Sequence, residues 1–344
     1  MKLKHLAKEI KYYNNLEGSV KRMTTKFVLA KTPLRKWVNT KSYSKVYGNM
    51  IKKKSSRINP IYIQIENTNL CNAKCIMCPH TTMKRKKKTM NQKDFEKIVN
   101  NIMKNYSSIK TLTITGFGEP LMDKEIIEKI KFINNSYPNL DIDIYTNASM
   151  LDKEMAEKLL QTKLHKINFS VNGTENTYKT MMGLDYEKTV SNILYFLEKR
   201  KEMKKKFPLI NISLMIVKEN EENIETFQRY WMDKVDSVMI YLPSNWAGTH
   251  NINYASSNPF KDKRWTCRVL WDYLTIDVDG NLIMCCRDYE SKVKFGNLLK
   301  QDAKEIFEGK ILKEIREKQI NNDFSMPICS NCDNSFDSSL NWWR

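Results

Sequence analysis

"IYIQIENTNLCNAKCIMCPH", residues 61 to 80, is the stretch that decides the fold. Its first six residues alternate Ile with polar or aromatic side chains, the period of a half-buried strand. The strand runs into a loop carrying Cys71, Cys75 and Cys78, with three and two residues between them and no fourth cysteine alongside. Three closely spaced thiolates with one place left open suit a 4Fe-4S cubane in which one iron has no protein ligand. A catalytic zinc, with His80 as the nearest histidine, is the competing reading of the same spacing.

From this loop to about residue 242, short β-like runs alternate with longer helical ones. The strand candidates after 61–66 are "KTLTIT" (110–115), "DIDIYT" (141–146), "KINFSV" (166–171), "LINISLMIV" (209–217) and "SVMIYL" (237–242). Between them, stretches such as "NQKDFEKIVNNIMKNY" and "EKTVSNILYFLEKRKEM" place apolar residues at three and four spacing, and several open on Asp, a good N-cap. Six strands alternating with helices predict an α/β fold with a parallel sheet, curled into a partial barrel or left open.

The unusual residues fall at one place on that map. The cysteine loop follows the first strand, "GFGEP" (116–120) the second, "TNAS" (146–149) the third and "VNGT" (171–174) the fourth; "KEN" (218–220) and "PSNWAG" (243–248) follow the fifth and sixth. In a parallel barrel these strand ends share one face, where βα loops build the active site.

Net charge is +19, but residues 1–58 hold 16 Lys+Arg against 2 acidic residues and supply +14 of it. This basic, mainly helical N-terminal extension reads as a solvated segment; peripheral contact with an anionic membrane is the other reading. "KRKKK" (84–88) has no interleaved aromatic residue and reads as a solvated loop or as a neutraliser of an anionic substrate, so nucleic acid is not the expected partner. No export-like or membrane-spanning apolar run is present in the sequence, which points to a cytoplasmic protein. Its eight cysteines are then expected as thiolate ligands rather than as disulfides.

Five of those cysteines lie near the C-terminus. "YLTIDV" and "NLIMCC" are joined at Asp279-Gly280, a strong hairpin signal, and Cys267 and Cys285 bracket that hairpin. After a helix around "DAKEIFEGKILKEIREKQ" the chain returns with "CSNC", Cys329 and Cys332. Four such cysteines can close a zinc site or ligate a 4Fe-4S cluster, and spacing does not separate the two. Cys286 is expected on the opposite hairpin face from Cys285, as a buried apolar thiol.

The CxxxCxxC loop after a first strand, followed by "GFGEP", "TNAS" and "SVNG" on successive strand ends, resembles the radical S-adenosylmethionine superfamily over residues 60–242. The resemblance implies a partial (β/α)6 barrel spanning 59–250, with S-adenosylmethionine on the open iron of a cluster held by Cys71, Cys75 and Cys78. Electron transfer then cleaves it to a 5′-deoxyadenosyl radical that abstracts hydrogen from substrate. By the same resemblance Gly116, Gly118, Glu119 and Pro120 receive the methionine amino group, and Asn147, Ser170 and Asn172 belong to the cofactor site. The plain alternatives are that Glu119 caps the next helix and Ser170 merely ends a strand. Relatives often carry an Arg near Met182 for the methionine carboxylate, and "TYKTMMGLDYEKTV" (177–190) has none.

The region 251–344 resembles the SPASM/twitch extension of that superfamily, in the one-cluster layout of the 2-deoxy-scyllo-inosamine dehydrogenase family. That implies an auxiliary 4Fe-4S cluster on Cys267, Cys285, Cys329 and Cys332. The expected activity is that of a radical S-adenosylmethionine oxidoreductase acting on a sugar or cyclitol alcohol, with a flavodoxin or ferredoxin as reducing partner. Modification of a peptide or protein substrate is the second class, and a non-catalytic metal- or nucleic-acid-binding protein the third. A base must take the hydroxyl proton. Asp288 is the first candidate, beside Arg287, His250 and Tyr241, and its plain alternative is a surface turn acid. Asn245 and Trp246 are candidates for holding a polyhydroxylated substrate, or for packing between the domains.

Overall fold

The computed structural model describes residues 55, 57–241, 243–249, 264 and 266–332. His250, nearly all of the basic 1–58 extension and the 250/251 domain boundary lie outside the described residues.

The strands are β1 (Tyr62–Ile65), β2 (Thr111–Ile114), β3 (Asp141–Thr146), β4 (Lys166–Ser170), β5 (Leu209–Met215), β6 (Ser237–Tyr241), β7 (Tyr273–Ile276), β8 (Asn281–Ile283) and β9 (Lys294–Asn297). They form one sheet in the order β6-β5-β4-β3-β2-β1-β7-β8-β9. All six expected barrel strands are present and parallel, each joined to the next through helix. The expected hairpin is also there, but its first strand does not stand in a separate unit. β7 pairs in parallel with β1, Tyr62 opposite Tyr273 and Ile65 opposite Ile276, so the barrel sheet runs directly into the C-terminal region.

Alternation along the strands explains the layering. Ile63 and Ile65, Leu112 and Ile114, Ile142 and Ile144, Ile167 and Phe169, and Leu274 and Ile276 all point outward into one hydrophobic core. Helices such as Gln92–Met103 supply its other half with Phe95, Ile98, Val99 and Ile102. Each fully buried Ile or Phe stabilises the fold by about 1.5–3 kcal/mol, and a one-residue slip would turn the whole set inward. The intervening residues therefore face the concave side, and most are polar or aromatic, Gln64, Thr113, Tyr145, Lys166, Asn211 and Tyr241 among them, with Leu209, Met215 and Met239 as apolar members.

Helix starts follow the cap residues. Asn91, Asp152 and Asp185 each accept a backbone N–H three residues on at 2.8 Å, opening helices at Gln92, Lys153 and Tyr186. Asp123 departs from that pattern. Its helix begins only at Ile126, because Asp123 is buried and accepts from Lys129 Nζ at 2.7 Å and from Asn67 Nδ2 at 2.9 Å.

One side chain ties the two halves of the sheet together. Glu66, at the end of β1, accepts from Arg85 Nη1 and Nη2 at 2.7 and 2.9 Å, from Phe117 N at 3.0 Å and from Val278 N at 3.1 Å. Arg85 Nε also donates to the Tyr289 carbonyl at 2.6 Å, and Lys88 pairs with Asp279 at 2.7 Å. Within "KRKKK" the solvated reading holds for Lys84, Lys86 and Lys87, which are exposed, and Lys88 pairs at the surface; Arg85 departs from it, turning inward to strap β1 to the C-terminal hairpin.

Candidate functional site

The cysteine loop is held by backbone bonds on both flanks. Lys74 and Ile76 N–H donate to the carbonyls of Met182 and Met181 at 2.8 and 3.1 Å, and Glu119 N–H donates to Leu70 O at 2.7 Å. Inside the loop, Asn72 Nδ2 reaches Ser149 Oγ at 2.7 Å, while Asn147 Nδ2 reaches Asn72 Oδ1 at 3.0 Å. The "TNAS" strand end therefore grips the cysteine loop directly.

Cys71, Cys75 and Cys78 are free and half-buried. Burial pushes the Cys71 thiol up to about 11 and lifts Cys75 and Cys78 as well; neighbouring thiolate charge adds to the effect on Cys71 and Cys75. Such thiols ionise when a metal supplies compensating positive charge. His80 Nε2 lies 3.0 Å from the Asn69 carbonyl oxygen and 2.9 Å from Lys87 Nζ, and its tautomer decides which of the two it bonds. Among the described residues no three His, Cys, Asp or Glu side chains close on a single ion-sized point. A cubane asks no such convergence, since each thiolate takes a separate iron, and the three-thiol loop fits it.

Gly116 and Gly118 are required by packing within the protein. A Cβ on Gly116 would sit 2.4 Å from Glu66 Cγ, and one on Gly118 would sit 2.2 Å from the Thr68 carbonyl. Pro120 opens the short helical turn 120–122, and Glu119 caps it, accepting Leu121 N at 3.0 Å. The Glu119 carboxylate also accepts Thr146 Oγ1 at 2.5 Å and Asn147 N at 2.7 Å. The cap alternative for Glu119 is what the geometry displays, with its acidity weakened by burial. Asn172 Oδ1 accepts Met215 N at 2.8 Å and its Nδ2 donates to Met182 Sδ at 3.2 Å; the Cys75 thiol donates to the same sulfur at 3.3 Å. Met182 Sδ thus sits between Asn172 and the cysteine loop. Ser170 is half-exposed on the concave face, and its hydroxyl makes no hydrogen bond among the described residues.

At the edge of the site Trp246 packs between regions. Its Nε1 donates to Met77 O at 2.9 Å, its ring meets Phe117 edge-on at 5.6 Å, and the Arg287 guanidinium lies 5.0 Å from its centroid. Asn245 Nδ2 donates to Asn331 O at 2.7 Å. Both residues serve the junction with the C-terminal region.

Asp288 holds a turn, as its plain alternative expects, but an internal one and not a surface one. It is buried, and its two carboxylate oxygens accept Lys292 N at 2.9 Å and Val293 N at 2.8 Å. Tyr241 ends β6 on the concave face, its hydroxyl 3.1 Å from Met239 Sδ, and burial weakens its acidity. Also on that face, Lys166 pairs with Asp143, whose other oxygen meets His165 Nδ1 at 3.0 Å.

The second cysteine group lines one cavity. Cys267, Cys285, Cys286, Cys329 and Cys332 surround it together with Arg264, Leu270, Met284 and Gln319. Burial is the main cause lifting Cys267 to about 12 and Cys329 to about 11. The expectation for Cys286 is corrected here. β8 ends at Ile283, so Cys285 and Cys286 lie in the turn beyond it and strand alternation does not separate them. Ser149 and Asn220 stand in the strand-end segments singled out in the sequence, Asn220 donating to the carbonyls of Asn172 and Met215 at 3.2 and 2.9 Å, while sequence reading missed Asn72, between two cysteines, and Glu66 as supports of the site.

The model of the Radical SAM superfamily matches residues 65–230, and that of the iron-sulfur cluster-binding SPASM domain matches 267–333. A GTP 3′,8-cyclase from Listeria monocytogenes is 29% identical over 208 residues, 58% of this chain and 59% of the cyclase. A tungsten-containing aldehyde ferredoxin oxidoreductase cofactor-modifying protein from Pyrococcus furiosus is 23% identical over 182 residues, 52% of this chain and 50% of that protein. The chain therefore spans little more than half the length of these curated relatives. Among solved structures, BtrN in complex with AdoMet and 2-DOIA superposes with a TM-score of 0.55 at 16% identity, covering 83% of this chain and 97% of BtrN. Streptococcus suis SuiB bound to precursor peptide SuiA gives 0.62 at 17% identity, covering 84% and 72%. These likenesses establish the fold.

Proposed function

The chain belongs to the radical SAM superfamily and carries a C-terminal SPASM-type domain, with S-adenosylmethionine and 4Fe-4S clusters as cofactors, and from that premise we propose that it oxidises a polyhydroxylated small molecule. Cys71, Cys75 and Cys78 would hold the first cluster, and the S-adenosylmethionine bound there supplies the 5′-deoxyadenosyl radical. Gly116, Gly118, Glu119, Pro120, Asn147 and Asn172 would shape the cofactor's place, with the Ser170 hydroxyl free to meet it. Cys267, Cys285, Cys329 and Cys332 would hold the auxiliary cluster.

The observation that carries the substrate class is the concave wall of the sheet. A closed parallel barrel is ordinarily filled with branched apolar side chains. Here Gln64, Lys166, Asn211, Tyr145 and Tyr241 line it half-exposed, and Asn168 Oδ1 is buried there without a hydrogen-bond partner among the described residues. Amides and phenols at this density suit hydroxyl groups on a substrate. Oxidation of an alcohol to a ketone removes a carbon-bound hydrogen atom, the hydroxyl proton and one electron: the cofactor at Cys71, Cys75 and Cys78 would take the hydrogen atom, the cluster held by Cys267, Cys285, Cys329 and Cys332 would supply the electron acceptor, and a base on this chain would take the proton. With the Asp288 carboxylate held by backbone, the Asp143 carboxylate beside Lys166 is the stronger candidate for that base, and the Tyr241 phenol, kept protonated by burial, is a hydrogen-bond donor to substrate oxygen. A flavodoxin or ferredoxin is the proposed reductant.

The test uses anaerobically reconstituted, dithionite-reduced protein and a panel of cyclitols, amino sugars and short peptides. A cyclitol or sugar deuterated at the reacting carbon should pass its label into 5′-deoxyadenosine and leave a product lighter by two hydrogens. A crosslinked or epimerised peptide would move the protein to the peptide-modifying class. Absence of 5′-deoxyadenosine under every condition would defeat the enzymatic reading.

A further inference from the structure

The auxiliary cavity holds one thiol more than a four-iron cluster uses, and the extra one has a distinct position. Cys267, Cys285, Cys286, Cys329 and Cys332 line the same space. Three of these sulfurs are already supplied with N–H donors: Cys285 Sγ by Arg287 N at 3.4 Å, Cys329 Sγ by Gln319 Nε2 at 3.4 Å, and Cys267 by the Val269 backbone. Cys286 has no such donor among the described residues. Cys286 is the chain neighbour of Cys285 on the lining of that cavity and is partly exposed.

N–H donors aimed at a sulfur stabilise it as a charged ligand, so Cys285 is the resting ligand and Cys286 the unassisted one. The two are adjacent in a turn outside the sheet ladder, whose register already shifts between Leu282 and Ile283. The turn is held by Met284 N–H on the Val293 carbonyl and Asp288 N–H on the Cys285 carbonyl, both at 3.1 Å, so an exchange calls for side-chain rotation and loss of the Arg287 N–H bond to Cys285 Sγ, not for a break in the strands. We propose that Cys286 is an alternate ligand of the auxiliary cluster, able to take over the iron otherwise held by Cys285. The exchange breaks one Fe–S bond and forms another, and the Cys286 proton passes to Cys285, so thiolate number and cluster charge stay constant. The inference rests on the iron-sulfur reading of this cavity and not on the identity of the substrate.

The experiment begins from a Cys71→Ala/Cys75→Ala/Cys78→Ala parent, in which only the auxiliary site can bind a cluster. Cys285→Ala, Cys286→Ala and the double variant are reconstituted with iron and sulfide under anaerobic conditions. The parent and each single variant should hold about four irons per chain, while the double variant, left with Cys267, Cys329 and Cys332, should either lose iron or carry a cluster with one open iron whose spectrum differs from that of Cys285→Ala. The electron paramagnetic resonance spectrum of the reduced cluster should shift in Cys285→Ala, which loses the Arg287 N–H bond, and stay unchanged in Cys286→Ala. Iodoacetamide footprinting of the loaded protein gives a second readout: Cys286 should be labelled in the parent and protected in Cys285→Ala. Equal iron and spectra in Cys285→Ala and the double variant, or labelling of Cys286 in Cys285→Ala, would overturn the exchange while leaving the cluster assignment standing. A parent that takes up no iron at all would overturn both.

Discussion

Replacing Arg85 by Ala tests whether the strap between the barrel and its C-terminal hairpin is a stabilising element. The side chains of the Arg85–Glu66 pair are 11% and 4% exposed, so water cannot take over the role of the missing partner. Glu66 would keep the N–H groups of Phe117 and Val278 but lose two charge-assisted bonds, leaving a buried carboxylate without a counter-ion. Breaking such a pair from one side costs about 3–5 kcal/mol. Glu66→Gln added to Arg85→Ala removes the stranded charge, and the double variant should recover part of that loss. Lys88→Ala serves as the internal control, because the Lys88–Asp279 pair is 41% and 48% exposed and such pairs are worth about 0–1 kcal/mol. Urea unfolding of the cluster-free protein, followed by Trp fluorescence, gives the stabilities. Hydrogen exchange at the Val278 and Phe117 amides reports whether the damage is local to the hub. An Arg85→Ala protein within about 1 kcal/mol of wild type would refute the reasoning, since a buried pair would then be behaving like a surface one.

Two further predictions concern the site and its pH dependence. Ser170→Ala should weaken S-adenosylmethionine binding by about 2- to 10-fold, the worth of one hydrogen bond, with iron content unchanged. Glu119→Ala should lower both binding and cluster content, because Leu121, Thr146 and Asn147 all lose their acceptor; equal effects in the two variants, measured by equilibrium dialysis and iron assay, would contradict this. Asp302, held down to about 2 by its bonds from Lys104 and Asn105, contributes stability that is complete above its unfolded value of about 3.9 and disappears as pH falls toward 2. The small stability gap between wild type and Asp302→Asn in the cluster-free protein should therefore close between pH 4 and 2, and a gap constant across that window would disprove the linkage.

The barrel was legible because period-two alternation is local. Each strand from β1 to β6 buries its own Ile, Leu or Phe, and no distant residue is needed to see it. The cysteine loop and the loops of the next three strand ends were legible for the same reason. What escaped was set by partners far along the chain. The parallel pairing of β7 with β1 joins residues more than two hundred positions apart, and a hairpin signal says nothing about what its outer edge meets. Arg85 looked solvated within a run of lysines because Glu66, which draws it inward, lies on the preceding strand. Cys286 was misplaced by extending β8 through residue 286. The ladder stops at Ile283, and the Asp288 carboxylate gathers the amides of Lys292 and Val293 into a turn instead.

The "GFGEP" segment carries a more general point about reading such motifs. Its glycines look like room for a ligand, yet the atoms that a Cβ would strike are Glu66 and the carbonyls of Thr68 and Leu70. Glu119 looks like a partner for an ammonium group, yet its N–H holds Leu70 and its carboxylate holds Thr146 and Asn147. Asn147 in turn holds Asn72, between the first two cysteines of the loop. The motif is therefore first a clamp that fixes where Cys71 stands relative to β2 and β3. A cofactor bound at the open iron of that loop would be positioned by the same clamp. Loss of the motif would then act on cluster and cofactor together, and a side chain that bears on the cofactor alone must be sought among groups the clamp does not use, of which the Ser170 hydroxyl is the clearest.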